Sequence, residues 1–265
     1  MAGIIALHGG GEFLPGDEMF LHACLDAALP AARTRSAAEA RARVGESRDD
    51  DPFALRIAIV PAAAADQRPE LAARHGVEAF ARVASAAGIP VRPEAVMIVD
   101  PASAASATLS DRLARADLVH LPGGDPGRLL ALLDGSAAWR AILESLARGA
   151  VLAGASAGAM VLAGWTWTPA GWRRGLGLVP GMVVVPHAER VALGGWSGTF
   201  GSRVPAEAEP VGRLGLDERT GVLALAGQDD QRDWKVVGSG SAHWSPDGST
   251  PSRSVSAPGV LSLFS

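Results

Sequence analysis

The sequence predicts an α/β fold of the three-layer sandwich type, in which helices cover both faces of a mostly parallel central sheet. Three observations on the 265 residues support this prediction. Short apolar runs alternate with longer, Ala-rich segments of helical period. The early apolar runs are continuous rather than alternating, which is typical of parallel strands buried on both faces. After residue 180 the apolar runs follow one another more closely, which indicates an antiparallel C-terminal extension of the same sheet.

Most of the predicted elements lie in the first 155 residues. The strands are the apolar runs 4–7, 55–60, 96–99, 118–121 and 150–155, and the helices cover 19–29, 69–87, 105–115 and 138–148. Pro30 predicts the end of the first helix, because a proline inside a helix removes a hydrogen bond and clashes with the preceding turn. We interpret residues 31–51 as a helical extension followed by an exposed loop.

The C-terminal part contains further predicted strands, at 182–185, 222–226, 234–237 and 260–263. Residues 238–258 are rich in Gly, Ser and Pro, and we expect a long irregular loop there. No internal repeat or linker is apparent, and α/β folds of about 250 residues often form one domain. The sequence therefore predicts a single domain over residues 1–265.

Composition excludes several functional classes. Hydrophobic residues make up 48% and charged residues 20% of the chain, which excludes a disordered or fibrous protein. The net charge is −4 and no basic stripe occurs, so nucleic acid is not an expected partner. The N-terminus lacks the positive region of a signal peptide and no apolar stretch suits a membrane span, so no membrane partner is expected. The single Cys24 cannot form an internal disulfide, which favours a cytoplasmic protein.

The motif Gly154-Ala155-Ser156-Ala157-Gly158 carries the clearest chemical prediction. It follows an apolar strand run and opens a helical run, which is the context of a G-x-S-x-G nucleophile elbow. The sharp turn requires small neighbours, and it places the Ala157 N–H at a helix N-terminus, where developing negative charge is stabilised. An ordinary Gly- and Ala-rich turn, or a phosphate-binding turn, is the alternative interpretation.

A serine nucleophile needs a base within hydrogen-bond distance. His187 is the best placed of the six histidines, since it follows the predicted strand 182–185 and Pro186. The carboxyl ends of strands face the active edge of such a sheet. His120 precedes a Gly-Gly turn, where packing is its expected role, and His243 lies in the region predicted to be irregular.

The loop Gly123-Gly124-Asp125-Pro126 follows another predicted strand and precedes a helical run. Adjacent glycines let a backbone N–H approach a ligand closely, so Gly124 or Asp125 is a candidate second oxyanion donor. In the alternative interpretation the loop is a plain turn, with Asp125 as N-cap and Pro126 as the first helical residue. The two interpretations are compatible.

In combination these motifs resemble those of the cyanophycinase and dipeptidase E family of serine peptidases. The resemblance covers about residues 3–227 and the motifs occur in the order of that family. They are Ile5-Ala6-Leu7-His8-Gly9-Gly10-Gly11, Ile59-Val60-Pro61-Ala62, Leu121-Pro122-Gly123-Gly124-Asp125, Gly154-Ala155-Ser156-Ala157-Gly158-Ala159, Gly175-Leu176-Gly177-Leu178-Val179-Pro180-Gly181 with His187, and Gly215-Leu216-Asp217-Glu218.

The resemblance implies a class I glutamine-amidotransferase-like fold, of the flavodoxin-like type, with a serine nucleophile in place of cysteine. Carried over to this chain, Ser156 is the nucleophile, His187 the general base and Glu218 the carboxylate that orients the imidazole. Gly124 and Ala157 would supply the oxyanion N–H groups. The expected substrate is a small peptide, hydrolysed through an acyl-enzyme. No cofactor is implied, and the sequence has no HExxH motif or paired cysteines for a metal.

Departures from the cyanophycinase pattern bear on the substrate. Cyanophycinases carry Asp-Gln directly before this histidine, several arginines after it, and Gln where Pro126 stands here. This chain has Val185-Pro186 before His187. The Pro-His pair is closer to dipeptidase E, which cleaves dipeptides with N-terminal aspartate. Arg190 is the nearest cation for the aspartyl carboxylate, and a solvated pair with Glu189 is its alternative role.

Two glutamates are candidates for the third member of the triad. Glu189 lies two residues after His187, which is the H-x-E spacing of cysteine-dependent glutamine amidotransferases. Glu218 matches the Leu-Asp-Glu position of the resembled family, ahead of the strand 222–226, and is favoured. Asp217 is expected to be a turn or cap residue.

Two other functions stand as alternatives. An α/β-hydrolase esterase would use the motif at residues 8–11 for its oxyanion, but its chain order would require Asp229 or Asp230 and His243. A catalytically idle homologue of the same fold would bind a ligand. Four tryptophans near the site in sequence could line a ligand pocket or the surface of a homodimer, although core packing is the default role of large aromatics. They are Trp165, Trp167, Trp172 and Trp196.

Overall fold

The computed structural model describes residues 3–42, 53–191, 212–225, 233–246 and 253–263. The strands, in chain order, are β1 (Ile4–His8), β2 (Leu55–Ile59), β3 (Val91–Ala95), β4 (Leu118–Leu121), β5 (Val151–Ala155), β6 (Trp165–Thr168), β7 (Gly171–Arg174), β8 (Met182–Pro186), β9 (Gly212–Leu216), β10 (Thr220–Leu225), β11 (Asp233–Gly238), β12 (Ser241–Ser245), β13 (Arg253–Ser256) and β14 (Gly259–Ser262). The helices are α1 (Glu18–Ala42), α2 (Pro69–Ala87), α3 (Pro101–Ala104), α4 (Ala107–Ala114), α5 (Pro126–Leu133), α6 (Ala137–Ala147), α7 (Ala157–Leu162) and α8 (Ala188–Val191).

Eight of these strands form the central sheet, in the order β14-β11-β10-β1-β5-β4-β2-β3. The strands from β1 to β3 in this order are parallel to one another. On the other side of β1, the sheet continues with β10, β11 and β14, each antiparallel to its neighbour. The predicted mostly parallel sheet with an antiparallel C-terminal extension is therefore confirmed.

Helices cover both faces of the central sheet. Along β1, the side chains of Ile5 and Leu7 belong to one buried cluster and that of Ala6 to another, because successive residues of a strand point to opposite faces. The first cluster includes Ile142 of α6, and the second includes Phe20 of α1. This is the three-layer arrangement that the sequence predicts.

A second sheet, which the sequence does not predict, has the order β13-β12-β9-β8. The predicted strand 182–185 belongs to it as β8 and pairs in parallel with β9, not with the central sheet. The prediction that 238–258 is an irregular loop is wrong, since β12 and β13 pair there. Ala242 and Trp244 alternate into the core, a pattern that the many small polar residues obscure. Residues 247–252 lie outside the described residues.

The first helix does not end at Pro30 as predicted, but continues as α1 to Ala42. Its second half is fixed by Arg35, whose guanidinium donates two hydrogen bonds of 2.8 Å to the carboxylate of Asp117. This tertiary contact offsets the local cost of the proline. The predicted helical extension is thus present, while residues 43–52 lie outside the described part of the chain.

The prediction of a strand at residues 96–99 is also wrong. The edge strand is β3, which pairs in parallel with β2 and contains Pro93, a residue type tolerated at a sheet edge. Val96 and Ile98 are fully buried after that strand has ended. Their apolar pattern therefore reflects core packing rather than strand pairing.

The helix predicted at 69–87 has the predicted bounds in α2, which ends at Gly88 with a φ of +67°. Those predicted at 105–115 and 138–148 correspond to α4 and α6 with small shifts at their ends. Within the described ranges, no helix combines the length and apolar character needed to cross a membrane.

The parallel strands β1, β5 and β4 are neighbours in the central sheet, so they end at the same edge. The loop after β1 carries residues 9–17, the loop after β4 carries residues 122–125, and the turn after β5 carries Ser156. The topology thus gathers three of the glycine-rich segments of the sequence at one place.

Candidate active site

Ser156 lies in a strained turn between β5 and α7. Its φ of +48° and ψ of −111° are a backbone conformation that residues other than glycine rarely adopt. The Ser156 N–H donates to the carbonyl of His8 at 2.9 Å. A Cβ atom on Gly154 would lie 2.6 Å from the Gly158 carbonyl oxygen, and one on Gly158 would clash with the backbone of Leu121. The glycines of the motif therefore permit the close packing that this turn requires.

Three side chains form a continuous hydrogen-bonded chain at the turn. Ser156 Oγ lies 3.2 Å from Nε2 of His187, and Nδ1 of His187 lies 2.8 Å from Oε1 of Glu218. A carboxylate can only accept, so the contact with Glu218 favours the tautomer with the proton on Nδ1. Nε2 is then the nitrogen that can accept the serine proton.

The second sheet supplies two of these side chains. In its register Pro186 of β8 lies opposite Leu216 of β9, so the residues just beyond both strand ends are close together. His187 has a φ of +53°, and its N–H donates to the Gly9 carbonyl at 2.9 Å. Gly10 lies directly against the imidazole, where an added Cβ atom would clash with the ring. A side chain at position 10 would therefore displace His187.

The predicted oxyanion donors differ in their availability. Among the described residues, the N–H groups of Gly124 and Ala157 have no hydrogen-bond acceptor. The N–H of Asp125 donates to the Ala63 carbonyl at 2.8 Å, and its carboxylate accepts from the Arg128 N–H at 2.9 Å as the N-cap of α5. The prediction of Asp125 as an oxyanion donor is therefore wrong, and its alternative interpretation as a cap is correct.

A cavity of about 530 Å³ opens beside Ser156 and His187. Met160, Trp167 and Arg190 contribute to its walls, so Trp167 lines this pocket, while Trp196 lies outside the described residues. A larger cavity, of about 690 Å³, lies between α1, α2 and β11 and contains none of the hydrogen-bonded chain. In the described part of the chain, no group of three or more His, Cys, Asp or Glu side chains is arranged to hold a metal ion.

Comparison with known proteins assigns the chain to a family. Residues 54–193, more than half of the chain, match the profile of peptidase family S51. The chain belongs to peptidase family S51. Ser156 and His187 lie within the matched segment, and Glu218 lies after it. The family assignment confirms the predicted class, a serine peptidase of the dipeptidase E and cyanophycinase type. No curated protein matches the chain significantly.

Two solved structures share the fold of this S51 peptidase. A peptidase from an acI-B1 actinobacterium aligns over 99% of this chain and 98% of its own, with a TM-score of 0.71 and 23% sequence identity. A Listeria monocytogenes EGD-e protein, named after peptidase E, aligns over 86% of this chain and 96% of its own, with a TM-score of 0.50 and 14% identity. At these identities the likeness concerns the fold alone.

The two charged residues after His187 contact Glu218 in the S51 peptidase. Oε2 of Glu189 accepts a hydrogen bond from the backbone N–H of Glu218 at 3.0 Å. The carboxylate that contacts the imidazole of His187 is that of Glu218, not that of Glu189. Arg190 Nη2 lies 2.8 Å from Oε1 of Glu218, and its Nε lies 3.8 Å from Oε1 of Glu189. Arg190 thus lines the cavity and also forms the contact with Glu189 that its alternative role implies.

Asp217, expected to be a turn residue, belongs to a separate polar network. Its carboxylate lies 3.0 Å from Nε2 of His243 and accepts the Ser241 N–H at 2.8 Å. Partial burial opposes ionisation of Asp217, but the hydrogen bonds from His243 and Ser241 outweigh it and hold the pKa of Asp217 below its usual value. His243 is thus bonded here, whereas the esterase alternative needs it at Ser156. The other residues of that alternative, Asp229 and Asp230, lie outside the described ranges.

Sequence reasoning missed two polar groups beneath the loops of the site. Glu12 accepts the N–H of Gly123 at 2.7 Å. His8 and Asp17 are fully buried, with Nε2 and Oδ1 3.0 Å apart, and Nδ1 of His8 accepts the Gly10 N–H at 3.3 Å. The position of Glu12 directly after three glycines was the one local sign of such a role.

Proposed function

We propose that this S51 peptidase hydrolyses short peptides, in particular dipeptides with an N-terminal aspartate, through a Ser156–His187–Glu218 triad and an acyl-enzyme. The hydrogen-bonded chain from Ser156 Oγ through the imidazole to Glu218 carries the proposal. A serine hydroxyl is a weak nucleophile unless an adjacent base takes its proton, and that base needs a third group to fix its tautomer.

In the first half of the reaction, Ser156 Oγ attacks the carbonyl carbon while its proton passes to Nε2 of His187. Glu218 keeps the Nδ1–H hydrogen bond and stabilises the imidazolium. The carbonyl oxygen takes up the electron pair, and collapse of this tetrahedral intermediate breaks the C–N bond. The proton on Nε2 goes to the leaving amine. Water then attacks the ester and gives a proton to Nε2 of His187. Collapse of the second tetrahedral intermediate breaks the bond to Oγ, which takes this proton back, and the acid is released.

The N–H groups of Gly124 and Ala157 are the proposed oxyanion donors, each worth about 2.7–4 kcal/mol of barrier. Their lack of acceptors among the described residues supports this role. The positive φ of Ser156 also supports a functional role for this turn, because backbone strain of about 1–3 kcal/mol at one residue is concentrated at active sites, ligand clamps and switch regions.

Arg190 is the proposed cation for the aspartyl carboxylate. It lines the cavity beside Ser156, and 69% of its side chain is exposed. The contact with Glu218 uses Nη2, which leaves other N–H donors of the guanidinium for a substrate. The cavity of about 530 Å³ suits a ligand of a few residues.

A kinetic comparison with Asp-X, β-Asp-X and X-Asp dipeptides tests the proposal. The wild type is expected to release aspartate from Asp-X, and Ser156→Ala is expected to lose at least about 10³-fold in kcat because the nucleophile is gone. A fluorophosphonate, which labels activated serines whatever the peptide specificity, should modify the wild type and not Ser156→Ala in intact-mass spectra. Equal rates for the two proteins would remove the serine mechanism.

The same assay with Glu218→Gln and Glu189→Gln tests the third triad member. Glu218→Gln should lower kcat by about 10³–10⁴-fold, since it favours the wrong imidazole tautomer. Glu189→Gln keeps an acceptor for the Glu218 N–H and should lose less than about tenfold. The reverse order of effects would assign the role to Glu189.

A further inference from the structure

Glu12 is an acidic residue at the site for which the proposed mechanism has no use. It lies in the loop after β1, directly after three glycines, and is half-buried. Its Oε1 atom accepts the Gly123 N–H at 2.7 Å. Within the described residues, no arginine, lysine or histidine pairs with this carboxylate, and Oε2 has no hydrogen-bond partner.

Glu12 and Ser156 border the same small space. A Cβ atom built on Gly123 would lie 2.7 Å from Oε1 of Glu12 and 3.4 Å from Cβ of Ser156. Gly123 and Gly124 have no side chains to fill this space, and Gly124 is exposed to solvent. A substrate residue bound at Ser156 would therefore be next to the carboxylate of Glu12.

An unpaired carboxylate at this position opposes the proposed reaction. The tetrahedral intermediate develops negative charge beside the same loop, and like charges a few ångströms apart repel strongly in a partly desolvated site. A cation bound against Glu12 would cancel this repulsion. Among the described residues no cation forms an ion pair with Glu12, so a cationic group of the substrate can take this place.

We propose that Glu12 binds the α-ammonium group of the substrate's N-terminal residue, so that Ser156 cleaves the first peptide bond. This inference rests on the proposed serine mechanism and defines its substrates as peptides with a free amino terminus. One Cα atom separates the α-nitrogen from the scissile carbonyl carbon, a distance of about 2.5 Å. A carboxylate adjoining Ser156 is therefore within reach of the α-nitrogen, whereas the cationic end of a lysine or arginine side chain lies several bonds further away.

The same contact excludes other peptides. An N-acylated or internal peptide has a neutral amide in place of the ammonium group, so it would leave Glu12 unpaired while covering it from water. Selectivity of this kind comes from the penalty on the wrong ligand as much as from the contact with the right one.

Glu12→Gln tests the proposal on a matched substrate pair, the 7-amino-4-methylcoumarin amides of aspartate and of N-acetyl-aspartate. Glutamine keeps the size of the side chain and an acceptor for the Gly123 N–H, but removes the charge. The wild type should prefer the free amine by at least about 100-fold in kcat/KM. The variant should lose about 10- to 100-fold on the free amine and nothing on the acetylated substrate, as expected for a lost charged hydrogen bond.

Glu144→Gln, an exposed residue of α6, is the charge-matched control and should keep the wild-type preference. An equal loss on both substrates in Glu12→Gln would assign Glu12 to support of the Gly123 loop and overturn the proposal. An unchanged preference would overturn it as well.

A binding measurement separates this inference from the catalytic mechanism. Calorimetric titration of Ser156→Ala with Asp-Ala should give at least about tenfold tighter binding than with N-acetyl-Asp-Ala, and Ser156→Ala/Glu12→Gln should bind both alike. Equal affinities in Ser156→Ala would overturn the role of Glu12. If that discrimination is present but the fluorophosphonate fails to label the wild type, the serine mechanism fails while the ammonium site stands.

Discussion

His120 shows how one buried residue couples the folding of this S51 peptidase to pH. The side chain, in β4, is fully buried, and among the described residues neither ring nitrogen has a hydrogen-bond partner. Its ring packs against Phe13 and Phe80, at centroid distances of 5.0 and 5.6 Å. Burial, and secondly the nearby His8, lower the pKa of His120 to about 3. The folded protein therefore keeps this imidazole neutral at physiological pH.

We expect His120 to make the free energy of unfolding fall as the pH drops below 6.5. The imidazole of the unfolded chain protonates near pH 6.5, whereas that of the folded protein stays neutral to about pH 3. Between these values only the unfolded state binds the proton, which removes up to about 1.4 kcal/mol of stability per pH unit. Urea unfolding at pH 7 and pH 5 should show that His120→Leu abolishes about 2 kcal/mol of the loss.

His75→Leu is the matched control for this measurement, because His75 is an exposed residue of α2. Its free energy of unfolding should depend on pH as that of the wild type does. If His120→Leu and the wild type lose the same free energy between the two pH values, His120 does not carry the dependence.

Single residues could be predicted from the sequence where a local motif surrounds them. Ser156 has a glycine two positions away on each side, and His187 follows an apolar strand and a proline. Gly10 could not be singled out, since its role is to leave room for an imidazole far away in the chain. For Glu12 the three preceding glycines were the one local sign, and they do not reveal its partner, because the Gly123 N–H that it accepts follows a different strand.

At the scale of elements, a tertiary contact lets helix α1 continue beyond Pro30. Pro30 lies inside it, although an interior proline costs about 3 kcal/mol. Beyond the proline, Arg35 pairs with Asp117, which is only 4% exposed and also accepts the Arg56 N–H at 2.9 Å. The hydrogen bond with Asp117 is the main cause that raises the pKa of Arg35. This ion pair fixes the second half of α1 against the residues that begin β2 and β4.

Arg35→Met is expected to lower the free energy of unfolding by about 3 kcal/mol, because it leaves the Asp117 carboxylate buried without its counter-charge. The second half of α1 should fray, which far-UV circular dichroism would report as lost helicity. Urea unfolding gives the stability change.

Arg115→Met provides the comparison for an exposed pair. Arg115 and its partner Asp111 are 67% and 56% exposed, so this change should cost less than about 1 kcal/mol. Similar losses in the two variants would show that burial of Asp117 is not what fixes α1.

Helices and strands could be predicted where residues at their ends mark the boundary in the local sequence. The bounds of α2 follow from Pro69 and Gly88, both of which act through their own backbone geometry. By contrast, β12 depends on Trp244, which packs against Gly212 of β9, a contact that no local pattern encodes. For the same reason a glycine- and serine-rich composition gave the wrong prediction for residues 238–258.

At the scale of the molecule, the candidate site joins two sheets. Ser156 follows β5 of the central sheet, while His187 and Glu218 follow β8 and β9 of the second sheet. Alternating strands and helices predict the central sheet, because parallel strands need helical connections. They do not predict the second sheet, whose strands pair across long separations in sequence. The contact between Ser156 Oγ and Nε2 of His187 therefore links two parts of the fold that pair independently.

A covalent adduct at Ser156 should consequently stabilise the second sheet as well as the turn that carries it. A fluorophosphonate forms a Ser156 Oγ–P bond with loss of fluoride, and a phosphonyl oxygen then lies within reach of protonated His187. Local opening of β8 and β9 would have to break this added charged hydrogen bond. The adduct should therefore lower the equilibrium constant for opening by about 10- to 100-fold. Hydrogen exchange of peptides covering 182–187 and 212–218 should slow by a corresponding factor.

Ser156→Ala treated with the same reagent is the control and should show no change in either peptide, since it cannot form the adduct. The decisive comparison lies within one labelled sample. If the adduct acted only through the elbow, protection would rise in residues 154–162 and stay constant in the second sheet. Increased protection confined to residues 154–162 would mean that the imidazole of His187 moves independently of Ser156. The hydrogen bond between the two residues would then not couple the two sheets.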